Sequence, residues 1–333
     1  MQGQDPLNLN KDSGPGGREY DVLSVGRSSI DLYANEVGAP FTEIKSFAAY
    51  VGGSPTNIAV SARRLGLRTA LLNALGEDLV GDFVTNFLKG EGVETKYGVR
   101  KRGRRTSAFL LGIEPPDRFP IVPYREGGPD FELNINDVLA APIPASRALL
   151  LTGSGLARQP SRDATLFSAE HARAHHTMVI LDLDFRAELW HDVRAYGVAV
   201  RSLLPLVDVV LGTFEEVSAA FLSGTTAEAV ERVLAAGPEA LVLKRGAENT
   251  LVHVRGGEVL EVPTFKVEVL NVLGAGDAFA GGFLYGYLKG WDFYRSVRMG
   301  NACGAIVVTR HGCANFMPYE AEALGFVEER GGF

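Results

Sequence analysis

Two glycine-rich turns, each opening a stretch of helical pattern, are where this 333-residue chain most readily builds chemistry. The later turn lies in NVLGAGDAFAGGFLYGYL (271–288), where Gly274, Ala275 and Gly276 precede a helix of small residues. Such residues leave room for a ligand to approach bare backbone amides. At a helix N-terminus those unpaired N–H groups and the dipole favour an anion. Asp277 then stands at the mouth of an anion hole, an uncomfortable place for a carboxylate unless it takes up a proton. A base beside a phosphate cradle is what phosphoryl transfer to a hydroxyl needs. The plainer alternative is an Asp N-cap after a glycine turn, and an apolar strand, VEVL (267–270), is expected just before it.

The earlier turn, GGSPTNIA (52–59), pairs Gly52 and Gly53, which permit tight backbone, with Asn57, a donor and acceptor for a polyhydroxy ligand. A third candidate is GTFEE (212–216), where Glu215 or Glu216 is suited to hold water around magnesium. Arg125 in PYRE, beside Tyr124, and Arg186 at a strand end are suited to grip a carboxylate bidentately; the alternative is surface arginines pairing with nearby acids. Competing fingerprints are missing. There is no GxxxxGK[ST], no HRD or DFG, and the turn GRSSIDLY (26–33) lacks GxGxxG. His171 and His175 share a helical face without the Glu of HExxH. The RKRGRR run (100–105) reads as a solvated turn, and GSG (153–155) lacks the outer glycines of a nucleophile elbow.

Positioning these residues requires elements on both sides of them. Near-continuous apolar runs at 22–25, 69–75, 148–153, 178–183, 207–212 and 240–244 fit strands buried on both faces. Helical patterns fall between them, near 55–65, 78–89, 161–175, 193–204, 214–222, 226–236, 276–289 and 293–309. This alternation predicts an α/β fold with a doubly wound, mostly parallel sheet. Residues about 27–51 and 98–125 break the rhythm with polar alternation and predict a small β-sheet lid. HVRGGEVLEV (253–262) predicts a hairpin turning at Gly256–Gly257.

Composition bounds the rest. Hydrophobic residues make 46% of the chain and charged ones 22%, which excludes wholesale disorder and collagen. A net charge of -7 argues against a nucleic-acid partner. Cys303 and Cys313 make no zinc quartet and read as reduced buried thiols. Residues 1–19 read as a disordered polar tail without a secretory h-region, and no 18-residue apolar run exists. A cytoplasmic protein with no membrane partner is expected.

Taken together, the early GG…N and late GAGD motifs, in order and at the right distance, resemble the ribokinase-like (PfkB) carbohydrate kinases from about Asp21 to Pro318. The resemblance implies a doubly wound domain over residues 20–333 with a lid, ATP as donor and Mg2+ as cofactor. It implies Asp277 as base and Gly274, Ala275 and Gly276 as anion hole. It also implies Asp31, Gly52, Gly53 and Asn57 as sugar-binding residues, Glu216 as the magnesium-linked glutamate, and Lys244, Gly246 and Asn301 in the nucleotide pocket. Family members often carry DTTGAGD, whose Asp belongs to a monovalent-cation site. Here Asn271 stands there, which leaves K+ open. The usual Asn of NxxE is Thr213. Segments 26–33, 152–164 and 182–190 resemble one subfamily, the 5-dehydro-2-deoxygluconokinases of inositol breakdown; 2-keto-3-deoxygluconate kinase, fructokinase and ribokinase are the alternatives. Partners are then a sugar acid, ATP and, through exposed lid edges, a second copy in a homodimer. A non-catalytic binding relative and a nucleotide-dependent oxidoreductase are the readings from other classes; the intact Asp277 and the missing GxGxxG weigh against them.

Overall fold

The computed structural model describes residues 17–115 and 118–333. Elements are numbered along the chain. The main sheet joins β1 (Tyr20–Val25), β4 (Thr69–Leu72), β9 (Ser146–Thr152), β10 (Met178–Asp182), β11 (Val209–Thr213), β12 (Ala240–Lys244), β13 (Thr250–Val254) and β14 (Val259–Val262). Their spatial order is β14-β13-β12-β11-β10-β9-β1-β4. Pairing is parallel from β4 to β12 and antiparallel from β12 through β13 to β14. The doubly wound sheet is therefore present.

Its apolar runs are continuous because both faces are covered. In β9, Leu149 and Leu151 face one core while Ala148 and Leu150 face the other. The first core is closed by α3 (Ile135–Leu139), α4 (Ser161–Ala174), α5 (Val193–Leu203), α6 (Phe214–Phe221) and α7 (Thr226–Ala235). The second is closed by α1 (Ser54–Arg64), α8 (Ala275–Leu288), α9 (Phe293–Val308) and α10 (Glu320–Glu328). Small residues let α8 and α9 approach closely: a Cβ on Gly282 would lie 2.7 Å from the Met299 carbonyl. The remaining helix, α2 (Leu79–Gly90), is capped by Asp78, whose carboxylate accepts from the Gly81 amide.

A second sheet stands apart, in the order β3 (Phe47–Gly52), β2 (Ser29–Ala34), β7 (Ser107–Leu111), β8 (Ile121–Tyr124). This is the expected lid, with narrower bounds. Residues 99–101 form β6 (Val99–Lys101), which pairs with β5 (Ala74–Gly76) outside the lid. Polar alternation marks a half-buried strand without naming its partner, so β6 and the lid strands look alike in sequence. The hairpin at Gly256 is as expected.

Two expectations need correction. VEVL forms no strand: Val269 is exposed, and the segment is tied by Leu270 and Asn271 amides to the Val308 carbonyl at the end of α9. The tail expected over 1–19 extends too far, because Arg18 donates to the Ser146, His175 and His176 carbonyls. Residues 1–16 lie outside the described residues. Cys303 and Cys313 are buried and unpaired, and no described helix is long and apolar enough to cross a membrane.

Candidate active site

The GAGD turn is built from its neighbours. Gly274 has φ +79°, and a Cβ there would lie 2.8 Å from the Cys313 amide nitrogen, so only glycine suits the turn. Buried Asn271 fixes the approach: its Oδ1 accepts from the Leu273 amide at 3.0 Å, and its Nδ2 donates to the His311 carbonyl. An aspartate would lack that second donor. The amides of Gly274, Gly276 and Asp277 find no acceptor among the described residues. They open α8 with the positive end of its dipole.

Asp277 is the third residue of α8, not its cap. Two donors from the first turn of α1 hold its carboxylate: Ser54 Oγ reaches Oδ1 and Asn57 Nδ2 reaches Oδ2, both at 2.7 Å. Burial pushes its pKa up to about 6, against those hydrogen bonds and aided by the charges of Asp184 and Asp182. A carboxylate so placed can exchange a proton near neutrality. Ser54 is a contact that sequence reading misses, since 223 residues separate it from Asp277.

Lys244 ends β12. Its ammonium lies 3.0 Å from Asp182 Oδ2, and a Cβ on Gly276 would be 3.4 Å from it. It therefore flanks the anion hole. Glu216 makes a capping box with Thr213: its Oε2 accepts from the Thr213 amide at 2.7 Å, while Oε1 accepts from the Phe185 amide at 3.3 Å. Burial raises its pKa against the pull of the Lys244 charge. No group of three or more acid, His or Cys side chains suited to hold a metal occurs among the described residues. Direct coordination by a protein cage is thus not built here. What fits is a hard cation carried on phosphate oxygens and water, with Glu216 reached through water.

In front of Asp277 opens a cleft of about 250 Å³. Phe109, Leu111, Ile121 and Pro123 line it from the lid, together with Arg27, Asp31, Gly53 and Asn57. Asp31 is buried, its Oδ1 accepting from Ser29 Oγ at 2.8 Å, and burial raises its pKa against the Arg27 charge. Gly52 makes this geometry available, because a Cβ there would lie 1.9 Å from Asp31 Oδ2.

Four arginines line the same cleft: Arg27, Arg125, Arg158 and Arg186. Arg125 is buried and paired with Asp130 at 2.5 Å, its guanidinium stacked on Phe131. Arg186 reaches Asp184 at 2.9 Å, which raises its pKa. The plainer alternative, pairing with nearby acids, is thus realised for both, although both still face the cleft. Tyr124 does not: along β8, Ile121 and Pro123 point inward and Tyr124 lies on the opposite face, 63% exposed. Asn301 is also outside. It accepts from Thr250 Oγ1 and donates to the Val262 and Pro263 carbonyls, binding α9 to the terminal hairpin. Gly246 occupies a turn after β12 with φ +62°, apart from the cleft. Arg27 and Arg158 are the residues the sequence reading passes over, though both sit in the segments that carry the subfamily resemblance.

Comparison with known proteins agrees with this fold. Residues 20–320 match the pfkB family carbohydrate kinase. A 5-dehydro-2-deoxygluconokinase from Bacillus thuringiensis subsp. konkukian (strain 97-27) is 34% identical over 319 residues, covering 94% of this chain and 96% of the relative. One from Clostridium tetani (strain Massachusetts / E88) is 32% identical over 321 residues, covering 94% of each chain. A fructokinase from Xylella fastidiosa, solved with bound ATP, superposes with a TM-score of 0.84 at 25% identity, covering 93% of this chain and 98% of the fructokinase. With a family match across nine-tenths of its length and relatives about a third identical over most of both chains, the chain belongs to the pfkB family of carbohydrate kinases and is a sugar kinase.

Proposed function

We propose that this kinase transfers the γ-phosphoryl group of ATP to the terminal hydroxyl of 5-dehydro-2-deoxy-D-gluconate, giving the 6-phosphate. The observation that carries the reading is the pairing, in one cleft, of a base aimed at a hydroxyl with four guanidinium groups. Arg125 and Arg186 are paired with Asp130 and Asp184, but Arg27 has no acid within ion-pair distance among the described residues. Such a lining suits an acid better than a neutral hexose. The relatives named 5-dehydro-2-deoxygluconokinase support the same substrate.

Asp277 takes the hydroxyl proton, held in line by Ser54 and Asn57. The free amides of Gly274, Gly276 and Asp277 receive negative charge as it develops on the transferring group, with Lys244 beside them. Asp31 orients sugar hydroxyls in the same cleft. Glu216 would hold the water shell of a magnesium ion bound with ATP, which would supply positive charge for the phosphates. Lid closure over the cleft keeps water from competing with the sugar.

ADP release over a panel of keto-deoxy acids, ketoses, aldoses and nucleosides tests the substrate. The 5-dehydro-2-deoxy acid should give the highest kcat/KM, followed by 2-keto-3-deoxygluconate. Preference for fructose, ribose or a nucleoside contradicts the assignment. The reading also includes a cytoplasmic location and a homodimer joined through the lids, supported by the exposed Ile121, Val122 and Tyr124 of edge strand β8. A dimer mass by light scattering at working concentration is expected, and a monomer contradicts it.

A further inference from the structure

The four cleft arginines are not equivalent. Arg125 gives both Nε and Nη2 to Asp130 Oδ2, at 3.2 and 2.5 Å, and both side chains are buried. Arg186 gives Nε to Asp184. Each of these cations already has an acid. Arg158 is exposed at the rim, stacked on Phe131 at 4.8 Å.

Arg27 differs from all three. It leaves the C-terminal end of β1, where ligands bind in a doubly wound sheet, and stacks on Phe109 of the lid at 4.3 Å. Its one hydrogen bond runs from Nη1 to Ser29 Oγ at 2.9 Å. Its Nε is buried without an acceptor, and Nη2 has none among the described residues. No acid among the described residues lies within ion-pair distance of it. The charge of Arg125 acts unfavourably on it, and those of Asp31, Asp130 and Asp184 act favourably, although Asp31 Oδ1 is engaged by Ser29 and the other two acids hold Arg125 and Arg186. A guanidinium held by stacking, short of acceptors and facing a second guanidinium is a receptor for an anion.

We propose that Arg27 is the specificity-determining residue that binds the carboxylate of the sugar acid, while Arg125 and Arg186 stay committed to Asp130 and Asp184. Arg27 lines the cleft with Asp31, whereas the Gly274, Gly276 and Asp277 amides with Lys244 are the set assigned to phosphate, so the group assigned to Arg27 is the carboxylate of the acceptor. One ligand carboxylate would satisfy the orphaned donors and relieve the repulsion from Arg125. This assignment rests on the acid-substrate reading above and adds which residue enforces it.

The test compares wild type, Arg27→Gln, Arg27→Lys and Arg125→Ala, each with the 5-dehydro-2-deoxy acid and with fructose. Arg27→Gln should lower kcat/KM for the acid by ~10²-fold or more, through KM. Fructose should lose far less, and KM for ATP should move little. Arg27→Lys keeps charge without the planar fork and should recover only part of the loss. It also serves should the glutamine variant fail to fold: a drop in the acid-to-fructose ratio of at least ~10-fold is then the supporting result. Equal losses for acid and fructose overturn the proposal, as does an acid preference kept by both Arg27 variants and abolished by Arg125→Ala. If wild type itself shows no acid preference, the substrate reading fails and the proposal falls with it; an acid-selective wild type with an indifferent Arg27 defeats the proposal alone.

Discussion

Asp277→Asn should retain fold and ATP affinity while kcat drops by ~10²–10⁴-fold, the usual cost of removing a general base. The change is nearly isosteric and preserves contact with Ser54 and Asn57, so structure is not what fails. What fails is proton acceptance. The same residue fixes the acid limb of the pH profile. With its pKa raised to about 6, the carboxylate is protonated below that pH and cannot act as base. For wild type, kcat/KM should therefore be level near neutrality and about tenfold below its plateau one unit under the pKa. The residual activity of Asp277→Asn should lack that limb. Near-wild-type turnover in the variant, or a wild-type profile flat through pH 5, would remove Asp277 from the role of base.

The next largest effect belongs to Gly52→Ala. The added Cβ would lie 1.9 Å from Asp31 Oδ2 and 2.2 Å from its Cγ, well inside contact distance. Asp31 is buried, packed beside Arg27 and hydrogen-bonded to Ser29, so it has little room to yield. Displacing it removes an acceptor for sugar hydroxyls and disturbs the neighbouring guanidinium. A loss of ~2–5 kcal/mol in sugar binding is expected, the range for breaking a buried charged contact. It should appear in KM for the sugar, with KM for ATP little changed, because the phosphate-binding amides belong to α8. An unchanged sugar KM would mean that Asp31 does not touch the substrate.

How much of this was legible in the sequence depended on whether the signal was local. The strands of the main sheet are apolar on both faces, and the helices between them carry periodic faces, so their positions follow from short windows. Helix α3 is five residues long, and α10 buries only Ala323 and Val327; neither leaves a periodic trace. The GAGD turn and Asn57 are legible because glycine spacing is itself the constraint. The answering acids are not. Asp130 reaches Arg125 from a short 3₁₀ turn, and Asp182 reaches Lys244 across two strands, so the sequence shows the cation without its partner. Asn301 is assigned to the nucleotide pocket by resemblance alone, and its three hydrogen bonds to β13 and the end of β14 are pairings that no short window of sequence shows. Arg27 reads as an ordinary loop residue, and only its missing acceptor distinguishes it.

The central claim, an Asp277-driven phosphoryl transfer to the terminal hydroxyl of a sugar acid, is tested most directly by the product itself. Wild-type enzyme, ATP, Mg2+ and 5-dehydro-2-deoxy-D-gluconate would be incubated to completion and the product read by phosphorus–carbon coupling in NMR. One product, coupled at C6 and formed in step with ADP, is expected. Phosphate on another hydroxyl, or ADP release without phosphorylated sugar acid, would contradict it.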